Sequence, residues 1–192
     1  MNPFIIAAGA LAVIAAAGGK AEASSGSSSS GSVSEFDRWD KLIRKNSAIY
    51  GIPWRWMKAI MIIESDLGRA PSVARGLMYP TDIQGSKSSD GKSWGLMQLT
   101  LPTARQFEPS VTEESLNDPN VSVRIAGKYM AWVRDRYWPL SNREAFIRSY
   151  NGGPGFNKTV SGQRDTPAYY AKFLKALSTV MAAQPGDEME IG

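Results

Sequence analysis

Hydrophobic positions divide the chain into stretches of different character. Met1 to Gly19 carries no charged side chain, and Phe4 to Ala17 is an unbroken run of apolar and small residues. That run falls short of the roughly 20 apolar residues that cross a bilayer as a helix, and Pro3, Gly18 and Gly19 extend it only marginally. Residues 1–19 are therefore expected to be a membrane-directed segment, either a retained anchor through residues 4–19 or a signal peptide. Ala21-Glu22-Ala23 has the small-x-small form of a cleavage site, but no Lys or Arg precedes the apolar run and Lys20 follows it, which favours the anchor. Ser24 to Ser34 reads SSGSSSSGSVS and has almost nothing to bury, so residues 20–34 are expected to form a flexible linker.

From Glu35 the period becomes helical. Phe36, Trp39, Ile43 and Tyr50 recur at helix spacing, Gly51 supplies a stop, and Pro53 opens a second helix. Between Trp54 and Ile63 only Arg55 and Lys58 are polar, which predicts a helix central to the core, with Glu64 at its end. Gly68 to Lys92 shows no amphipathic period and is expected to be a long loop. A short helix opened by Pro102 follows, then a longer one from Pro119 to about Tyr137. Ser141, with Glu144 as its box partner, is the expected cap of the next, and Thr166 that of a last helix from Pro167 to about Met181. No alternating run of β-branched residues is long enough for a central strand. The expectation is an all-α domain over residues 35–183, with 184–192 a disordered tail.

Composition narrows the chemistry. In 192 residues there are 0 Cys and 0 His, which excludes disulfides, thiolate nucleophiles, Ser-His-Asp triads and zinc sites of the usual ligand set. No metal and no cofactor is expected. Acid–base work near neutral pH then falls to carboxylates, Lys or Tyr, and a carboxyl that keeps its proton there needs burial to raise its pKa. Glu64 meets that condition, because it shares a helix face with Met57 and Met61. The net charge of +4 suits an anionic partner such as a cell wall, a membrane or nucleic acid. The basic residues are spread along the chain without a cluster, which argues against nucleic acid.

Two further segments stand out. In Ser93-Trp94-Gly95-Leu96-Met97-Gln98 a Gly lies between large apolar groups, the mark of a close approach by another backbone or a ligand. Ser149-Tyr150-Asn151-Gly152-Gly153-Pro154-Gly155 ends a helix with more Gly than a cap requires, an open backbone suited to lining a groove.

In order, Glu64-Ser65, Gly95-Leu96-Met97-Gln98, Tyr150-Asn151-Gly152-Gly153-Pro154-Gly155 and Tyr169 after Thr166 resemble the catalytic-domain motifs of soluble-type lytic transglycosylases, whose lysozyme-like fold goose-type lysozymes share. Asp118-Pro119 to Tyr129, with Ile125-Ala126-Gly127, resembles that family's middle helix, and the likeness covers about Trp54 to Leu177. It implies Glu64 as the single catalytic acid and base, with Ser65 as its motif partner. It further implies Ser93, Met97 and Gln98 as contacts to N-acetylmuramic acid, Tyr150 and Asn151 as holding the glutamate and the sugar, and Tyr169 as a hydrogen-bond partner near the Glu64 carboxyl. The implied substrate is peptidoglycan, cut at the β-1,4 bond between N-acetylmuramic acid and N-acetylglucosamine without water, leaving a 1,6-anhydro end.

The chain departs from the resemblance in three places. The interval from Glu64 to Gly95 is longer than expected and holds Asp82 and Asp90, either of which is a candidate second carboxylate for a muramidase that adds water. Thr100 stands where goose-type lysozymes often have an aspartate, and Ser149 replaces a common Ala. A membrane-tethered structural or wall-binding protein is the alternative from another class. With no Cys for a lipid anchor and no extra wall-binding module, the layout suits a phage virion or secretion-machine component acting at the periplasm or wall.

Overall fold

The structure, a computed structural model, describes residues 34–69, 92–155 and 166–186. The anchor and most of the linker expected over residues 1–34, the greater part of the long loop with Asp82 and Asp90, and residues 187–192 lie outside the described residues. Among the described residues no helix is long and apolar enough to cross a membrane.

The architecture is helical. The order is α1 (Asp40–Tyr50), α2 (Trp54–Ser65), a 3-10 turn (Asp66–Gly68), β1 (Ser93–Trp94), β2 (Leu99–Thr100), α3 (Leu101–Arg105), α4 (Glu113–Leu116), α5 (Pro119–Arg136), α6 (Arg143–Gly152) and α7 (Thr166–Ala183). The central helix α2 packs on α7 and α1, while α1 also lies on α5 and α6 on α7. Ile43, Met57, Ile60, Met61, Ile125 and Phe173 are fully buried where these faces meet. The two strands pair antiparallel, Ser93 opposite Thr100 and Trp94 opposite Leu99, and form only a short hairpin.

Several boundaries follow directly from local chemistry. Gly51 takes a left-handed φ of 63° and its N–H closes α1 on the Ser47 carbonyl. Asp118 caps α5 by accepting from the Asn120 N–H at 2.7 Å, with Pro119 in the first position where its missing N–H costs nothing. Gly127 lies under the Tyr50 ring so closely that a Cβ there would collide with it, which joins α5 to α1.

Other expectations need correction. The first helix begins at Asp40 rather than Glu35, because residues 35–39 form turns that aim the Trp39 indole at the Leu67 carbonyl, 3.0 Å away. Asn142, not Ser141, caps α6 by accepting from the Ala145 N–H, and Glu144 pairs instead with Arg148 one turn on at 3.0 Å. The helix α2 is buried nearly all round, as expected, yet Arg55 and Lys58 are buried with it.

The fully buried Lys58 ammonium sits 2.6 Å from Asp40 Oδ1, 3.4 Å from Asp37 Oδ1 and 4.0 Å from the Phe36 ring centroid. The Gln184 side-chain amide donates to both Asp37 and Asp40, while its backbone carbonyl accepts from Arg55 Nη2 at 2.9 Å. A buried ammonium needs such partners to offset its lost hydration. Gln184, the first residue of the expected tail, thus joins the entry and exit of the helical domain.

Candidate active site

Glu64 is placed by the way α2 stops. Asp66 and Leu67, neither of them Gly, both take left-handed φ values, 48° and 56°. Such residues cost on the order of 1 kcal/mol each unless their surroundings impose the conformation. Here Leu67 is buried and its carbonyl is held by Trp39, and the Gly68 N–H donates to Ser65 Oγ at 3.1 Å. The chain therefore turns away at once, leaving Glu64 at the mouth of an apolar helix and only 4% exposed. Its Oε1 accepts a 2.6 Å hydrogen bond from the Tyr169 hydroxyl of α7.

The neighbouring Ser65 faces another way. It is fully buried, and its hydroxyl donates to the Leu96 carbonyl at 2.8 Å. The Glu-Ser pair thus divides its work: one side chain presents a carboxyl, and the next ties the end of α2 to the turn between β1 and β2.

That turn holds Gly95 to Gln98. Gly95 has φ 74°, and a Cβ there would collide with the Leu116 carbonyl oxygen and lie 2.8 Å from Ser122 Oγ. The close approach anticipated from the sequence is therefore one of backbone. Gln98 also takes a left-handed φ, 47°, and its side-chain amide donates back to the Gly95 carbonyl at 2.8 Å. Met97 is fully buried, with its carbonyl accepting from the Tyr150 hydroxyl at 2.9 Å and its N–H donating to Ser122 Oγ at 3.1 Å. Ser93 is buried in β1 beside the turn. Thr100 caps α3, its Oγ1 2.8 Å from Thr103 Oγ1.

Tyr150 and Asn151 lie at the end of α6, both buried. The Tyr150 ring meets Tyr129 edge-on at 5.7 Å, and the Tyr129 hydroxyl donates to the Ser149 carbonyl at 2.9 Å. Burial first, and then the nearby Glu64 charge, push the Tyr150 and Tyr169 phenols well above their ordinary pKa. Both phenols are therefore neutral donors at physiological pH. A donor on Oε1 favours the carboxylate, whereas removal from water favours the acid, so the site places opposing influences on one proton.

The structure thus brings Glu64, Ser65, Met97, Gln98, Tyr150 and Tyr169 into one connected group, with Ser93 and Asn151 on the elements that carry it. Ser122 and Tyr129 lie in the segment likened to the family's middle helix, but neither is among the site residues expected from the sequence. Their signal was there: Ser122, Ala126 and Tyr129 share one face of α5, and a Ser on a buried face needs a partner.

The family model described as the transglycosylase SLT domain matches residues 41–173, a span that contains every member of this group. The chain belongs to that family. No curated protein sequence matches the chain. Among solved structures, an inactive mutant of the lytic transglycosylase Slt from Pseudomonas aeruginosa is similar, with a TM-score of 0.53 and 19% identity over 77% of this chain. The chain spans only 24% of that protein's length, and the likeness carries the fold. The all-α, lysozyme-like SLT domain accounts for the observed helices. Asp37, Asp40 and Gln184, which enclose Lys58, lie just outside the matched span.

Proposed function

We propose that this SLT domain is a peptidoglycan lytic transglycosylase that cuts between N-acetylmuramic acid and N-acetylglucosamine and closes a 1,6-anhydro ring. One observation carries the reading: among the described residues Glu64 is the only buried acidic side chain, and it is hydrogen-bonded by Tyr169 within the motif cluster. In the proposed cycle the Glu64 acid gives its proton to the glycosidic oxygen as the bond from C1 breaks. The resulting carboxylate takes the proton from the C6 hydroxyl of the same sugar as that oxygen bonds to C1. No water is consumed, and Glu64 ends protonated as it began. The substrate's N-acetyl group supports C1 in place of a second protein carboxylate, a substrate-assisted departure from the two-carboxylate pattern.

The C6 hydroxyl is tethered to the reacting carbon, so its effective concentration far exceeds that of an unoriented water. Thr100 offers no carboxylate to orient one and is engaged as a helix cap. Mass spectrometry of digested sacculi is expected to show muropeptides with 1,6-anhydro ends, one water lighter than hydrolysis products. Glu64→Gln is expected to abolish their release, since loss of a general acid typically costs about 10²-fold or more. Reducing ends as the main product, lost on Asp90→Asn, would establish the muramidase instead.

The proposed setting is the wall side of a membrane, with residues 4–19 as tether and residues 20–34 as leash, in a virion or secretion machine that opens the wall locally. The full chain is then expected to partition with membranes, and the chain begun at Gly31 to fold, stay in solution and lyse walls. Loss of folding on that truncation would remove the tether from the proposal.

A further inference from the structure

The turn from Gly95 to Gln98 makes one backbone hydrogen bond of its own, from the Gln98 N–H to the Gly95 carbonyl at 3.1 Å. Side chains from three helices hold the next polar groups along it. Ser65 of α2 takes the Leu96 carbonyl, Ser122 of α5 takes the Met97 N–H, and Tyr150 of α6 takes the Met97 carbonyl. Two of these three belong to the recognised motif pairs Glu64-Ser65 and Tyr150-Asn151. Ser122 does not.

We propose that Ser122 is a positioning residue, whose buried hydroxyl oxygen sets where Met97 and Gln98 stand relative to Glu64 and so governs turnover. The role rests on the transglycosylase reading. Met97 is fully buried, so its N–H must find an acceptor inside the protein or bear the full cost of leaving water unpaired. Ser122 is itself fully buried, and its placement is tightly determined. Its own N–H closes on the Asp118 carbonyl at 2.9 Å in the first turn of α5, after the Asp118 cap and Pro119. Its Oγ also lies against the Cβ-less face of Gly95, so the same oxygen limits how the turn enters and how it leaves. From Ser122 the constraint passes through the Met97 amide to the Leu96 carbonyl, then to Ser65 and the adjacent Glu64. Displacements of about 1 Å in such a support cost on the order of 10²-fold in rate.

Release of muropeptides from purified sacculi, measured for kcat and KM at a temperature where circular dichroism shows every variant folded, tests the assignment. Ser122→Ala is expected to lower kcat at least tenfold. Val133→Ala, a cavity on the same helix far along from the turn, is expected to lower Tm yet keep kcat within twofold. Amide exchange at Met97 should accelerate in Ser122→Ala and stay slow in Val133→Ala. If Ser122→Ala keeps wild-type kcat, as Val133→Ala does, the residue is merely structural and the proposal is overturned. Should Ser122→Ala not fold, Ser122→Cys keeps the side-chain shape with a larger sulfur that is a weaker acceptor: a kcat at least threefold down together with faster amide exchange at Met97 supports the role, and a wild-type kcat or unchanged exchange overturns it. An inactive wild type would overturn the transglycosylase reading and this role with it, an outcome distinct from an active wild type that is indifferent to Ser122.

Discussion

Tyr169 and Glu64 stand 105 positions apart in the chain and are joined by a buried hydrogen bond of 2.6 Å, phenol to carboxyl. The bond exists because α7 lies against α2, and it fixes both the rotamer of the carboxyl and the direction of one of its oxygens. Tyr169→Phe keeps the ring and removes the donor. It is expected to lower kcat by about 10- to 100-fold with KM little changed, and to lower stability by about 1–2 kcal/mol, since a buried carboxyl loses a partner. Steady-state kinetics and urea unfolding of the same preparation check both parts.

Gly95→Ala is expected to be far more damaging than its one added methyl suggests. The backbone is left-handed there, and the new carbon would meet the Leu116 carbonyl oxygen, which cannot rotate away. A loss of about 2–4 kcal/mol is expected, together with loss of wall lysis, because the turn carrying Met97 and Gln98 must move. Gly155→Ala, where a Cβ meets nothing within 4 Å, is the matched control and is expected to melt within a few degrees of wild type.

Acid sensitivity should trace in part to Glu108. Hydrogen bonds from Arg124 Nε and Nη2 at 2.8 and 2.7 Å and from Lys128 at 2.7 Å hold its carboxyl down from 4.5 to about 2, the Arg124 bonds being the chief cause. A carboxyl with a depressed folded pKa contributes stability that is complete above about pH 4.5 and lost as pH falls toward about 2. Because Arg124 and Lys128 are partly solvated, the contribution is expected to be about 1–2 kcal/mol. Glu108→Gln should therefore melt below wild type at pH 7, with the difference closing as pH falls from about 4.5 to about 2. A gap that persists at the acid end would show that packing, not charge, is responsible.

Lys58→Met separates stability from chemistry. It leaves Asp40, whose side chain is 14% exposed, without its ammonium, and is expected to cost about 2–4 kcal/mol. Lysis per folded molecule at low temperature should be unchanged, because Lys58 bonds toward the two ends of the helical domain through Asp37, Asp40 and Gln184 and not toward Glu64. A fall in kcat beyond twofold would instead show that this cluster supports the site.

Local chemistry was sufficient for much of the fold. Gly51, Pro53, Pro102 and Pro119 mark ends and starts because their backbones permit or forbid particular φ values whatever surrounds them, and the apolar run from Trp54 to Ile63 could be stable only inside a core. Where two neighbours offered the same chemistry the outcome was not local: Asn142 won the cap over Ser141. The four-residue helix Glu113–Leu116, with its Thr112–Ser115 capping box, is too short to show a period at all. The residue types of the site were likewise visible, Glu64 as a carboxyl on an apolar face and Gly95 as a point of close approach. What approaches Gly95, the backbone of Leu116, was not. Nor was the division of Glu64 toward Tyr169 and Ser65 toward Leu96, the hold of Ser122 on Met97, or the reach of Gln184 back to Asp37 and Asp40. Periodicity and capping act over one or two helical turns, so the sequence determines them by itself. Contacts between residues 25 to 147 positions apart depend on which faces the helices bury against one another, and only the packed tertiary structure decides that.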